Sequence, residues 1–190
     1  MIRELRVFAV LIVAGLAAGC TTFSEVPSSE PQVIGGVFRV QPGVLWSAAK
    51  DGNNQTWTIN GIGLESISFF TNVADGEAIA PRLQGEKAPT FRSDMTASDI
   101  VDLYEAVLTA RDYAQIQILG LRPHKISGQD AFRFEYTAFS TNGLEKKGIV
   151  IGVIDEEKGL NLVVYEAAAE HYFSASLDAA EKVLNSLERI

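Results

Sequence analysis

Residues 131–139 read AFRFEYTAF, and that stretch restricts the fold more than any other. Phe132, Phe134, Tyr136 and Ala138 fall on one side of an extended chain, with Arg133, Glu135 and Thr137 on the other. A two-residue period rich in aromatics is a strand with one face in a core. A helix would scatter the same residues around its axis. Asn142-Gly143 follows and signals a tight turn. KKGIVIGVI, residues 146–154, then runs almost unbroken in apolar residues from Ile149 to Ile154. Such a run suits a central strand covered on both faces. DEEKG at 155–159 turns the chain again, and LNLVVYEA at 160–167 reads as the next strand. The three together predict an antiparallel meander.

Further strands are expected at GVFRV (36–40), QTWTI (55–59), ESISFFT (65–71) and AQIQILGL (114–121), with a turn at Asp51-Gly52-Asn53-Asn54. Residues 75–93 read as a long loop. Two helices are predicted. In TASDIVDLYEAVLTAR (96–111), Ile100, Leu103, Tyr104, Val107 and Leu108 share a face. Thr96 fits its N-cap, with Asp99 completing a capping box. In SASLDAAEKVLNSLERI (174–190), Leu177, Ala180, Leu184 and Leu187 form the stripe, beside Val183. Single helices set between and after antiparallel strands predict an α+β fold, a central antiparallel β-sheet covered by α-helices. With 190 residues and 47% hydrophobic content, the chain can bury one core. We read a single globular domain over 33–190.

The amino-terminal part has a different character. Arg3 and Arg6 precede an apolar segment from Val7 to Ala18, and Ala17, Ala18 and Gly19 are small. These are the parts of an export signal over residues 1–19. The segment falls short of the ~20 residues that span a bilayer. Cys20 is the only cysteine, so an intramolecular disulfide is impossible, and a bare thiol would be a liability outside the cytosol. Leu16-Ala17-Ala18-Gly19-Cys20 resembles the lipobox of bacterial lipoproteins, although Ala17 stands where that class usually has Leu. The resemblance implies cleavage before Cys20, a diacylglycerol on its sulfur, and a further acyl chain such as palmitate on the new amino group. More than one chain is needed for firm anchoring. In the sorting rule of that class, an Asp after the cysteine favours the inner membrane, so Thr21 points to the outer membrane. Residues 20–32, polar and containing Pro27 and Pro31, read as the lipidated cysteine and a flexible tether.

GQDAFRFEYTAFSTNGLEKKGIVIGVI, GLNLVVYEAAAEHYF and AAEKVLNSL together resemble the PsbP-like fold shared with DcrB-type lipoproteins. The resemblance covers about half of the chain beyond the signal. It implies an α-β-α sandwich and, because members of that fold do unrelated things, no particular activity.

Chemistry is sparsely signalled. A net charge of -8 repels phosphate backbones, so nucleic acid is not expected as a partner. No metal or cofactor is expected: the two histidines, His124 and His171, lie far apart, and HExxH, paired CxxC, EF-hand, P-loop and dinucleotide patterns are missing. There is no GxSxG elbow. Glu166 and Glu170 form a carboxylate pair that reads as exposed. Trp46, Trp57, Tyr165 and His171 are the candidate ligand-binding residues, since aromatics mark binding surfaces, although they more often fill cores. The chain is therefore expected to be a lipid-anchored, periplasm-facing envelope protein. Its role would be binding or scaffolding, and its partners would be membrane lipid through Cys20 and an envelope protein or small hydrophobic ligand. Two alternatives stand beside this. An envelope hydrolase would bring a histidine, a serine and a carboxylate together in a cleft, and a structural subunit would carry a large exposed apolar patch.

Overall fold

A computed structural model describes residues 23–80 and 88–190. The expected signal at 1–19 and Cys20 lie outside the described residues.

The meander forms as anticipated. β8 (Gln129–Phe139), β9 (Glu145–Asp155) and β10 (Gly159–Ala168) pair antiparallel, with Phe134 opposite Val150 and Ile151 opposite Val163. β6 (Glu65–Val73) joins the free side of β10. β5 (Asn54–Thr58), β4 (Trp46–Asp51) and β1 (Ser24–Val26) follow outward, and β7 (Ala114–Ile126) closes the other edge. The result is an eight-stranded sheet in the order β1-β4-β5-β6-β10-β9-β8-β7. A smaller three-stranded sheet, β11-β3-β2, is made by β2 (Gln32–Ile34), β3 (Phe38–Val40) and β11 (Glu188–Arg189).

The two faces of the large sheet hold separate cores. On one, Phe134, Tyr136, Val150 and Leu162 pack under Ile100, Tyr104, Val107 and Leu108 of α1 (Ala97–Ala110). Ile79 and Phe91, from the segment before α1, complete this core. On the other, Trp57, Ile67, Ile151 and Tyr165 meet Ala180, Val183 and Leu184 of α2 (Tyr172–Asn185), and the small sheet adds Ile34, Phe38 and Val40. The architecture is α+β, as single helices set between and after antiparallel strands implied. The capping box is present: Asp99 N–H donates to Thr96 Oγ1 at 3.3 Å, and Thr96 N–H donates to Asp99 Oδ2 at 2.7 Å. Such a cap contributes about 1 kcal/mol.

Two glycines in β9 let aromatic rings lie flat across that strand. A Cβ at Gly148 would sit 2.0 Å from the Tyr136 ring, and one at Gly152 would sit 2.1 Å from the Phe132 ring. Their four-residue spacing puts both on the α1 face.

Four expectations need correction. Part of the expected tether is folded: Val26 is 3% exposed and pairs with Trp46 through β1. β4 was not anticipated, because Ala48 and Ala49 carry little strand signal. β7 runs five residues past the expected end and through Pro123, which an edge strand tolerates because its outer N–H positions need no partner. The last helix stops at Asn185, and Glu188–Arg189 pair with β3 as a strand.

The carboxyl-terminal strand is pinned by the β9–β10 turn. Asp155 Oδ1 accepts the N–H groups of Glu157 and Lys158, both at 2.9 Å, and its Oδ2 pairs with the Arg189 guanidinium. Lys158 Nζ donates to the Ile190 carbonyl at 2.8 Å and to Gly36 O at 2.9 Å. The Lys158 N–H holds the Asp155 carboxyl below the usual carboxylate range. Burial opposes this, and the Glu157 N–H and the Arg189 and Lys158 charges reinforce it. A depressed folded pKa contributes stability that is complete above the unfolded value and is lost as pH falls through the folded one. Asp155→Asn should therefore cost about 1–3 kcal/mol near pH 7, a gap that closes toward about pH 3. Urea denaturation at the two pH values checks this.

Candidate functional site

The α1 face of the sheet is only partly roofed. Above β8 and β9 it is apolar and covered by the helix. Across β4, β5, β6 and β10 one row of side chains runs Ala49, Thr56, Ser68, Val164, each opposite the next. Thr56 and Ser68 share a hydroxyl contact at 3.3 Å. The adjoining row sets Ser66 opposite Glu166, Glu166 opposite Gly148, and Gly148 opposite Tyr136. These small and polar positions floor a groove of about 690 Å³. Its walls are the carboxyl end of α1 with Arg111 and Tyr113, the β5–β6 loop with Ile62 and Gly63, and the β8–β9 hairpin. That volume falls in the range of small-molecule sites.

Glu166 organises one end. Its Oε1 accepts the Tyr113 hydroxyl at 2.8 Å, and its Oε2 accepts the Tyr136 hydroxyl. The Tyr136 ring reaches it by lying over Gly148. Tyr104 packs 5.6 Å from Tyr136, centroid to centroid. Burial, and then the Glu166 charge, push the hydroxyls of Tyr104, Tyr113 and Tyr136 well above the ordinary phenol range, so all three stay protonated and able to donate. The Arg111 guanidinium lies 5.1 Å from the Tyr113 ring centroid, a cation–π arrangement. Desolvation is the largest single influence and works against the Arg111 charge, but the Glu166 carboxylate and the Tyr104, Tyr113 and Tyr136 hydroxyls together raise its pKa.

Lys146 enters the same groove from β9. It is 4% exposed, and its Nζ donates to the Gly63 carbonyl at 2.6 Å. Among the described residues, neither Lys146 nor Arg111 makes an ion pair. The carboxylate between them is held by phenols instead.

The aromatics expected to bind ligand lie elsewhere. Trp46, Trp57 and Tyr165 are at most 1% exposed and belong to the core on the α2 face. The two tryptophan rings stand 6.2 Å apart, and the Tyr165 hydroxyl donates to the Phe173 carbonyl at 2.8 Å. The reason is strand alternation. Trp57 and Tyr165 each sit one residue from a groove position, Thr56 or Glu166, and so point to the opposite face. His171 is exposed at the start of α2, at φ 70°, with its ring 5.1 Å from Tyr172. It does not line the groove. His124, on β7, also lies outside it; burial and the charges of Arg133 and Arg122 lower its pKa. The cleft histidine required by a hydrolase is therefore missing from this groove. Among the described residues no three His, Cys, Asp or Glu side chains converge as metal ligands. Glu170 is exposed as expected, whereas Glu166 is partly buried.

No family model matches the sequence, and no curated protein matches it. Solved structures do resemble the fold. The solution structure of the cyanobacterial PsbP protein CyanoP from Synechocystis superposes with a TM-score of 0.51 at 13% identity, over 92% of this chain and 96% of that one. That likeness shows a PsbP-like fold and extends no further. The crystal structure of LpqN, involved in cell envelope biogenesis of Mycobacterium tuberculosis, gives a TM-score of 0.39 at 12% identity, over 88% of this chain and 91% of that one.

The seat under Tyr136 can be tested directly. Gly148→Ala should lower stability by about 1–3 kcal/mol through overpacking. In a Tyr136→Ala background the same change should cost less than about 0.5 kcal/mol, because the clashing ring is gone. A double-mutant cycle in urea measures the difference.

Proposed function

We propose that the chain is a lipid-anchored bacterial cell-envelope protein that faces the periplasm from the outer membrane and binds a ligand in the α1-face groove without chemical turnover. The observation that carries this reading is the open, hydroxyl-floored groove on a sheet whose other face packs Trp57, Ile67 and Tyr165 beneath α2. A protein needing only stability would place apolar residues at Thr56, Ser66 and Ser68 and cover them.

The anchor reading rests on the residues around Cys20. The folding of β1 adds a geometric consequence. Phe23 lines the groove mouth, three residues from Cys20. Three residues span at most ~10 Å, so an acylated Cys20 would hold the groove close to the bilayer surface. The earlier picture of a domain on a long leash gives way to one docked near the membrane. The exposed large apolar side chains, among them Val33, Leu45, Leu119 and Ile190, are spread over several elements.

In a bacterial host, the native chain should incorporate labelled palmitate and sediment with outer-membrane density. Cys20→Ser should abolish both. Labelled palmitate in the serine variant, or a native chain free of lipid, would refute the anchor.

A further inference from the structure

We propose that the groove is a site for a monoanionic amphiphile, with Lys146 and Arg111 holding a carboxylate or phosphodiester head and Phe70, Val164, Ile62 and Phe23 lining the path of an apolar chain. The proposal rests on the reading of the groove as a ligand site and adds the chemistry of the ligand.

The argument starts from Lys146. Burying an ammonium without a counter-charge costs several kcal/mol, so lysines are rarely placed that way. An ammonium carries three donors. One is used on Gly63 O, and no other acceptor for it is found among the described residues. Arg111 carries five donors. It rests on the Tyr113 ring, and no hydrogen bond from its guanidinium is found among the described residues. Both cations line one cavity in a chain whose net charge is -8.

Glu166 explains why the cations stay available. It lies on the same face, one pairing position along from Lys146, which is opposite Ala168. A closed structural network would turn it onto Lys146. Instead both of its oxygens accept tyrosine hydroxyls, and those phenols remain protonated. The carboxylate thus engages the phenols and forms no ion pair with either cation among the described residues. Among the described residues, two cations and one carboxylate at this end call for one further negative charge. A dianion would meet Glu166 at close range, and a neutral head would leave the buried Lys146 ammonium without a counter-charge. At the other end, Lys50 and Asp51 offset each other in sign. The lining also carries apolar side chains, Phe70 and Val164 on the floor, Ile62 beside the Gly63 carbonyl that Lys146 holds, and Phe23 beyond β4. Head and chain sites therefore share one groove.

The test uses the acylated full chain in phosphatidylcholine vesicles. Two diazirine probes of equal length are compared, a fatty acid and the corresponding fatty alcohol, and labelled peptides are read by mass spectrometry. The fatty acid should label groove peptides from β6, the 59–64 loop and α1 about tenfold more than the alcohol. Lys146→Met and Arg111→Gln should each reduce acid labelling to the alcohol level. Competition separates the two head groups: displacement by lysophosphatidylglycerol assigns a phosphodiester lipid, and displacement by dodecanoate alone assigns a free acid, either of which supports the proposal. Equal labelling by acid and alcohol, or unchanged selectivity in both variants, overturns the anion site and leaves the groove reading intact. No groove labelling by either probe overturns both. Thermal melts confirm folding, and the solvent-accessible Arg111→Gln carries the test should Lys146→Met not fold.

Discussion

An eight-stranded sheet has two faces to cover, and the helices available are too narrow for the task. At ~4.8 Å per strand the sheet is about 34 Å wide, while a helix with its side chains covers about 10 Å. On one face α2 is helped by the three-stranded sheet and by the Trp46–Trp57 pair. On the other, α1 has the help of Ile79 and Phe91. The uncovered remainder must be polar or be a binding surface. The sequence meets this residue by residue: Trp57, Ile67 and Phe69 face the packed side, and Thr56, Ser66 and Ser68 face the open one. Fold and site thus follow from one shortage of cover.

The groove's electrostatics depend on a short chain of contacts. Gly148 has no side chain, so the Tyr136 ring lies across β9. The ring carries its hydroxyl to Glu166 on β10. Tyr113, just past α1, takes the other carboxylate oxygen and supports Arg111 from below. Both carboxylate oxygens are taken by phenols, and among the described residues neither Lys146 nor Arg111 forms an ion pair with Glu166. Buried ion pairs are weak sources of stability, because desolvation offsets the Coulomb gain. Keeping Lys146 and Arg111 apart from Glu166 therefore makes more sense for recognition than for folding.

The sequence made the central strands legible and the site much less so. Phe132 to Ala138 alternate without interruption, and β9 is apolar on both faces, so their pattern reports their place. β7 was read short because Pro123 interrupts it, and only its edge position makes that residue harmless. β1 has three residues and one partner strand, so its order comes from β4 and leaves little local trace. Trp57 and Tyr165 stood as ligand candidates beside their commoner role in a core, because aromatic type says nothing about which face of a strand it occupies. Glu166 was read as exposed because its partner Tyr113 lies 53 residues away. Glycines at 148 and 152 beside an alternating aromatic strand were the available signal for rings laid across β9.

The central claim is that Glu166 belongs to the tyrosines and that the groove cations await an external anion. A crystal structure of the full chain purified from bacterial envelopes tests it most directly. The account predicts non-protein density within hydrogen-bonding distance of Lys146 Nζ, with both Glu166 oxygens still on Tyr113 and Tyr136. Lys146 turned onto Glu166 in a closed, dry groove would contradict it.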